Sequence, residues 1–243
     1  MSVVNIIRKE EDPGLFYVES NYGLLMFDTG AVTSQLQHSD LTSTLEIAQI
    51  AECNGAFGSK MQKYVVVDEL CVGDISAKNL PVSLDDSVGL LGIDVLRNYA
   101  FTLDTQNNEI ILIKPFVSNI PCKVGQQRGH FYVEAQIWGK HCLAVIDTGA
   151  GCSVLDEAFL RDVNVSIPEG NVAIAEDWTG ETFETKMMSV DSLHIGNVRF
   201  PQHEFVLLDF KKIFQFMEYP ISAIIGAITF SCRKFSFNLI DGY

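Results

Sequence analysis

The chain is predicted to be all-β, folded as two related β-barrel-like lobes of six to eight strands, set about a pseudo-twofold axis with a cleft between them. Two observations carry this. Short apolar runs rich in β-branched and aromatic residues, bounded by Gly, Asn, Asp and Ser, recur along the 243 residues. The order of these runs is then repeated. Phe16-Tyr17-Val18-Glu19 returns as Phe131-Tyr132-Val133-Glu134, and Asp28-Thr29-Gly30-Ala31 as Asp147-Thr148-Gly149-Ala150. Ala51-Glu52 returns as Ala175-Glu176, and Val67 to Gly73 as Val190 to Gly196. Leu90-Leu91-Gly92 returns as Ile224-Ile225-Gly226, and Phe101 to Asp104 as Phe235 to Asn238. Matched stations in one order mark an internal repeat. The offset between copies drifts, as it does when loops change length and strands are kept. The expected units are 1–114 and 123–243, joined by a linker over 115–122.

In the first unit, Leu24-Leu25-Met26-Phe27 reads as a buried strand that ends on Asp28. Cys53-Asn54-Gly55-Ala56 predicts a hairpin, because Asn-Gly suits the positive φ of a type I′ turn. Tyr64 to Val67 and Ile110 to Ile113 read as strands, and Ile93 to Tyr99, after Gly92, as a short helix. In the second unit, Leu143-Ala144-Val145-Ile146 leads into Asp147. Asp156 to Asp162 predicts a short helix with an acid at its start and no internal Gly or Pro. Asp177-Trp178-Thr179-Gly180 predicts a second hairpin loop, and Phe205 to Leu208 a strand. Each hairpin follows its own Asp at a distance that lets it fold back as a flap; the flap residues are Asn54, Gly55, Ala56, Phe57, Asp177, Trp178, Thr179 and Gly180. The stretch Phe210 to Tyr219, with Phe214, Phe216 and Met217, has no match in the first unit. It reads either as a substrate or partner surface or as a loop packed on its own lobe.

Composition narrows the function. A net charge of -14 argues against a phosphate-backbone partner. Met1 to Asp12 has no apolar core of the kind a signal peptide carries, which makes the cytoplasm the expected location. Ile221 to Phe230 is too short to span a bilayer and is broken by Gly226, so no membrane partner is expected. The six cysteines show no C-x-x-C spacing and no His pair stands beside them. No metal and no cofactor is expected, and the thiols are expected to be free.

The paired acids carry the chemistry. An unpaired carboxylate beside a core is costly, and a lone Asp-Thr-Gly is an ordinary turn or a phosphate loop. Two copies in matching contexts predict that Asp28 and Asp147 meet. Two carboxylates in contact cannot both ionise cheaply, so they share one proton and titrate together. The ionised partner can then take a proton from water while the protonated partner polarises a carbonyl. Gly30 and Gly149 are expected to let the chain turn sharply beside the acids. Thr29 and Thr148 can donate hydroxyl hydrogen bonds across the lobe junction, and Ala31 and Ala150 keep the loops small. Gly92 and Gly226 suit a strand passing under another backbone.

With these residues in view the sequence resembles the aspartic peptidases. Asp28-Thr29-Gly30-Ala31-Val32-Thr33-Ser34 and Asp147-Thr148-Gly149-Ala150-Gly151-Cys152-Ser153 match the Asp-Thr-Gly-Ala-x-x-Ser form of the retropepsin branch, and Leu90 to Leu96 is similar to retropepsin-like domains. The resemblance implies an acid-protease fold with two fused retropepsin-like lobes, Asp28 and Asp147 as catalytic residues, and flaps and cleft that bind an extended peptide or protein substrate. It also implies terminal strands that knit the lobes together, and a monomer holding both half-sites. The chain departs from the branch at Ile93 and Ala227, where many retroviral enzymes carry Arg, and neither flap has the Tyr typical of pepsins. The activity implied is that of an aspartic endopeptidase; the alternative is a peptide-binding or scaffolding module with little or no turnover.

Overall fold

A computed structural model describes residues 2–55, 58–118, 120–125, 129–167, 169–177, 179–213, 217–231 and 233–242, with the backbone alone at 54, 124 and 213. Among them strands dominate, and the chain has the all-β architecture expected. The helical pieces are short: Ile93–Leu96, Glu157–Asp162, Phe210–Ile213 and the 3-10 turn Ala227–Phe230.

The strands form a seven-stranded, a ten-stranded and a four-stranded sheet. In the seven-stranded sheet Gly23–Phe27, which delivers Asp28, runs parallel to Gly89–Leu91. On its other side Gly89–Leu91 meets Gln35–Gln37, the strand that leaves the Asp28 loop, in antiparallel sense. Lys140–Asp147, Ala223–Gly226 and Ser153–Asp156 repeat that arrangement in the ten-stranded sheet. In both, a central strand lies between the strands entering and leaving an Asp loop. Ala223–Gly226 is buried throughout, while Gly89–Leu91 is buried except for the half-buried Leu90.

The sheets differ by three strands: Cys122–Val124, which pairs with Phe131–Ile137, is one, and two come from local breaks. Ser59–Val72 and Ile75–Asp85 form one long antiparallel pair. At the matching stations the second half has Thr182–Val190 with Leu193–Ile195, and Val198–Phe200 with His203–Leu208. The breaks fall at Asp191-Ser192 and Pro201-Gln202, where Pro201 has no N–H for a ladder.

The four-stranded sheet runs in the order Val3–Asn5, Glu109–Ile113, Ala100–Asp104, Lys234–Asn238. Its last strand comes from the C-terminal end of the chain and pairs with Ala100–Asp104 over five residues. Lys234 Nζ lies 2.8 Å from the Asp104 carboxylate across that pairing. Phe101 in this sheet packs edge-on against Phe27, with ring centroids 5.1 Å apart, and also meets Phe237. Phe27 and Phe101 are fully buried, and each stabilises the fold by about 1.5–3 kcal/mol. The residue preceding Asp28 thus packs on Phe101, which the C-terminal strand covers through Phe237.

One large apolar cluster runs through the molecule. A smaller one in the second half gathers Tyr132, Val145, Val154, Val206, Phe210 and Ile224. Met217 and Tyr219 pack on the smaller cluster, so the described part of the Phe210 to Tyr219 stretch folds against its own half; Phe214 and Phe216 lie outside the described residues.

The helix at Asp156 forms as predicted, with the Asp156 side chain accepting from Ala158 N–H at its start. The segment Ile93 to Tyr99 is helical only over Ile93–Leu96. Its N-cap is Gly92, which brings no side chain to bind the first N–H groups, and two of its four residues are β-branched. The first hairpin also differs from expectation. Asn54 pairs with Ser59, and Gly55 N–H bonds the Gly58 carbonyl at 2.8 Å. Asn-Gly therefore precedes the turn, and neither residue has positive φ. The Asn54–Ser59 register and the Gly55–Gly58 bond put Asn54 and Gly55 beside the connection, not at its centre. In the second hairpin Gly180 N–H bonds the Asp177 carbonyl at 2.9 Å, with Gly180 at φ +85°.

Candidate active site

Asp28 and Asp147 come together at the junction of the two halves. Each is tied down by its own loop. Asp28 Oδ1 accepts from Gly30 N–H at 2.7 Å and Ala31 N–H at 2.9 Å. Asp147 Oδ1 accepts from Gly149 N–H at 2.9 Å and Ala150 N–H at 3.1 Å. The second oxygens are left for the partner acid, and each carboxyl group lies against the glycine of the other loop. Asp28 is buried and Asp147 half-buried. Burial pushes both carboxyl groups above the ordinary range, Asp28 well above it because the Asp147 charge adds to the effect. The raised carboxyl groups therefore favour a proton on the pair under conditions where free aspartates have lost theirs.

The loops grip each other reciprocally. Thr29 N–H donates to Thr148 Oγ1 and Thr148 N–H to Thr29 Oγ1, both at 3.0 Å. The Thr29 hydroxyl donates to the Ile146 carbonyl at 2.9 Å, and the Thr148 hydroxyl to the Phe27 carbonyl at 2.6 Å. Both threonines are buried, so each lost bond would strand a donor or acceptor away from water.

The glycines beside the acids have a different role from the one expected. Neither Gly30 nor Gly149 has positive φ. A Cβ on Gly30 would overlap the Asp147 carboxyl group, and a Cβ on Gly149 that of Asp28. Each glycine leaves room for the opposite acid, a constraint visible only once the loops face each other. Gly92 and Gly226 also lack space. A Cβ on Gly92 would stand 2.8 Å from the Ala31 carbonyl oxygen, and one on Gly226 would strike the Cys152 carbonyl. The residues that follow clamp the loops, with Ile93 N–H on the Ala31 carbonyl and Ala227 N–H on the Ala150 carbonyl, each at 2.8 Å.

The two hairpin tips touch. A Cβ on Gly55 would meet the Asp177 carboxylate and, at 2.8 Å, the Thr179 methyl; one on Gly58 would meet Glu181 Cγ, also at 2.8 Å. Asp177 Oδ1 accepts from the Thr179 N–H and hydroxyl, which holds the second tip in shape. Asn54 is placed by its backbone alone, at the end of its strand. Ala56, Phe57 and Trp178 lie outside the described residues.

Residues beyond the motif also hold the loops. Ser34 Oγ accepts from Gly92 N–H at 3.0 Å and donates to Asp94 Oδ1 at 2.7 Å, while Ser34 N–H bonds Asp94 Oδ2 at 2.9 Å. Ser153 Oγ accepts from Gly226 N–H at 3.1 Å and stands 2.9 Å from Thr229 Oγ1, which is 3.0 Å from His203 Nε2. The shared Ser of the two motifs was the available signal. Asp94 lay within the Leu90 to Leu96 stretch but was given no role there, and Thr229 and His203 gave no signal, being brought in by a distant strand and by the turn after the glycine. Among the described residues no cluster of His, Cys, Asp or Glu is suited to hold a metal ion. Cys53, Cys71, Cys122, Cys142 and Cys152 are free thiols; Cys232 lies outside the described residues. No described helix is long and apolar enough to cross a membrane.

Comparison with known proteins adds the following. Residues 133–228 match a family model described as aspartyl protease. Among solved structures, a retropepsin-like aspartic protease from Rickettsia conorii is similar at 14% sequence identity, over 48% of this chain and 82% of that one, with a TM-score of 0.31. No curated protein matches the chain. The family match spans less than half of the chain, but it contains Asp147, Thr148, Gly149, Ala150, Ser153 and Gly226. Over that span the chain is similar to the aspartyl proteases.

Proposed function

We propose that this chain is an aspartic endopeptidase with two fused retropepsin-like lobes, hydrolysing peptide bonds of extended protein segments with Asp28 and Asp147 as its catalytic pair. The observation that carries the reading is the reciprocal seating of the two acids: each carboxyl group bonds its own loop and fills the space left by the other loop's glycine. The aspartyl protease match over 133–228 supports it.

In this mechanism Asp28 carries the shared proton and Asp147 is ionised. Asp147 takes a proton from water as the water oxygen attacks the peptide carbonyl carbon. Asp28 gives its proton to the carbonyl oxygen, and a gem-diol forms. The proton on Asp147 then passes to the amide nitrogen, the C–N bond breaks, and a diol hydroxyl returns a proton to Asp28 as the new carboxyl group forms. The dyad ends with one proton, as it began. No covalent intermediate is required. Thr29, Thr148 and the four loop N–H donors keep both carboxyl groups in place throughout. The touching hairpin tips enclose an extended substrate once they part to admit it. A single chain is the active unit, because it supplies both acids.

The test is cleavage of a denatured protein mixture between about pH 3.5 and pH 7.5, comparing the native chain with Asp28→Asn and Asp147→Asn. Cleavage that either substitution abolishes supports the reading. A native chain that binds extended peptide without cutting it, equal in this to both variants, would replace the endopeptidase by a peptide-binding module.

A further inference from the structure

The hydroxyl chain behind the Asp147 loop has a direction, and His203 sets it. His203 Nδ1 lies 2.9 Å from the Pro201 carbonyl oxygen. That oxygen can only accept, so Nδ1 carries a proton, and in the neutral form of the ring Nε2 is an acceptor. The Thr229 hydroxyl, 3.0 Å away, then donates to Nε2. With its proton so committed, Thr229 Oγ1 accepts from the Ser153 hydroxyl at 2.9 Å. Ser153 Oγ in turn accepts from Gly226 N–H at 3.1 Å. Ser153 Oγ also lies 3.4 Å from His203 Nε2, a longer contact than either link of the route through Thr229. Ser153 and Thr229 are buried, so water is not at hand to repair a reversed link. The imidazole is held over the Phe205 ring, 4.8 Å between centroids.

The chain ends where it matters for the dyad. Gly226 is the register partner of Asp147 in the parallel pairing, and the next residue clamps the Ala150 carbonyl. In the first half Asp94 performs this task directly, by accepting from the Ser34 hydroxyl. We infer that His203, acting through Thr229 and Ser153, is a positioning residue for the Asp147 loop, an uncharged counterpart of Asp94. The inference rests on the endopeptidase reading for its effect on turnover; the tautomer it requires is independent of that reading.

The experiment joins kinetics with imidazole 15N shifts. Thr229→Val keeps the shape of the side chain and removes its hydroxyl, Thr229→Ser keeps the hydroxyl, and His203→Phe removes both ring nitrogens. Thr229→Val and His203→Phe are each expected to lower kcat about tenfold with KM within about twofold, since misplacing a reacting group acts on the chemical step. Thr229→Ser is expected to retain native kcat, and the double variant to be no worse than either single one. In the native chain the 15N shifts are expected to report a neutral His203 protonated on Nδ1. Native kcat in Thr229→Val, equal impairment in Thr229→Ser, or additive losses would overturn the inference. So would a ring protonated on Nε2, even in a variant series too unstable for kinetics. A native chain that cuts nothing would sink the endopeptidase reading and the positioning role that depends on it, whereas a wrong tautomer in an active enzyme would sink the inference alone.

Discussion

The loop that carries Asp28 and the loop that carries Asp147 agree closely in their inner bonds and part company one step further out. Both bind the acid through two backbone N–H groups, exchange threonine bonds with the other loop, and place a serine hydroxyl on the N–H of the following glycine. Behind the serine, the first loop ends on the carboxylate of Asp94, and the second on the neutral pair Thr229 and His203. Two physically different anchors hold one backbone geometry. The charged anchor makes stronger bonds but must be desolvated, and burial raises the Asp94 carboxyl above its ordinary range. The neutral anchor avoids that penalty and depends instead on every hydroxyl pointing the right way. The comparison teaches that the inner bonds define the site, while the outer anchor need only complete a hydrogen-bond chain.

The largest effect expected is on the inner bonds. Asp28→Asn or Asp147→Asn should lower kcat/KM by about 10³-fold or more, because the shared proton is lost. The native enzyme should work on the acid side of neutrality, where one acid of the pair stays protonated; an optimum in alkaline buffer would sink the shared-proton mechanism. The same substitution should stabilise the fold at neutral pH. Both carboxyl groups are raised in the folded state, so the ionised dyad opposes folding, and this opposition disappears as the pH falls through the folded values toward the ordinary range. Thermal melting at pH about 7 should show Asp28→Asn melting about 2–4 °C above the native chain, for roughly 1 kcal/mol regained.

Next come the glycines that face the opposite acid. Gly30→Ala and Gly149→Ala should each cost about 10²-fold in kcat, as the new methyl group displaces the partner carboxyl group. Similar losses from both would show the two loops to be equivalent at this level; a native-like Gly149→Ala would break the comparison.

The anchors should respond less, and unequally. Asp94→Asn offers an NH2 group where the carboxylate accepts from Ser34 and Val95, and should destabilise by about 1–3 kcal/mol in chemical denaturation. Thr229→Val removes a neutral link and should destabilise by less. The reverse order would mean that the neutral chain, not the carboxylate, is the stronger anchor.

The smallest effect is expected at Asp104 and Lys234, which pair across the four-stranded sheet. A hydrogen bond from Lys234 holds the Asp104 carboxyl down at about 2. This contribution is fully present above the ordinary carboxylate range and is lost as the pH falls from about 4 to about 2. Lys234→Met should therefore lower the melting temperature slightly at neutral pH, and the gap should close at the acid end of that window.

Several features were legible in the chain before folding was considered. The apolar runs before each Asp, the ordered stations, the helix capped by Asp156 and the two hairpins all rest on local pattern, which neighbouring residues set. The turn at Asn54-Gly55 was misplaced because strand register, not turn propensity, chose which residues span the gap. Gly30 and Gly149 were assigned to backbone freedom, since their true neighbour lies on the opposite loop. His203 and Thr229 were invisible because the residues they serve stand on other strands.

The sequence by itself determined that the chain is all-β, that one strand-and-turn pattern occurs twice, and that each copy ends a buried strand on an acid. These follow from periodicity and turn chemistry, which act over a few residues. The duplicated motif also predicted that the two acids meet, but only the tertiary structure decided that each glycine clears the opposite carboxyl group, and that a carboxylate anchors one loop while a threonine and a histidine anchor the other. Those outcomes depend on which distant backbones the core and the four-stranded sheet press together, and hydrogen bonds between such groups have no spacing along the chain from which to be read.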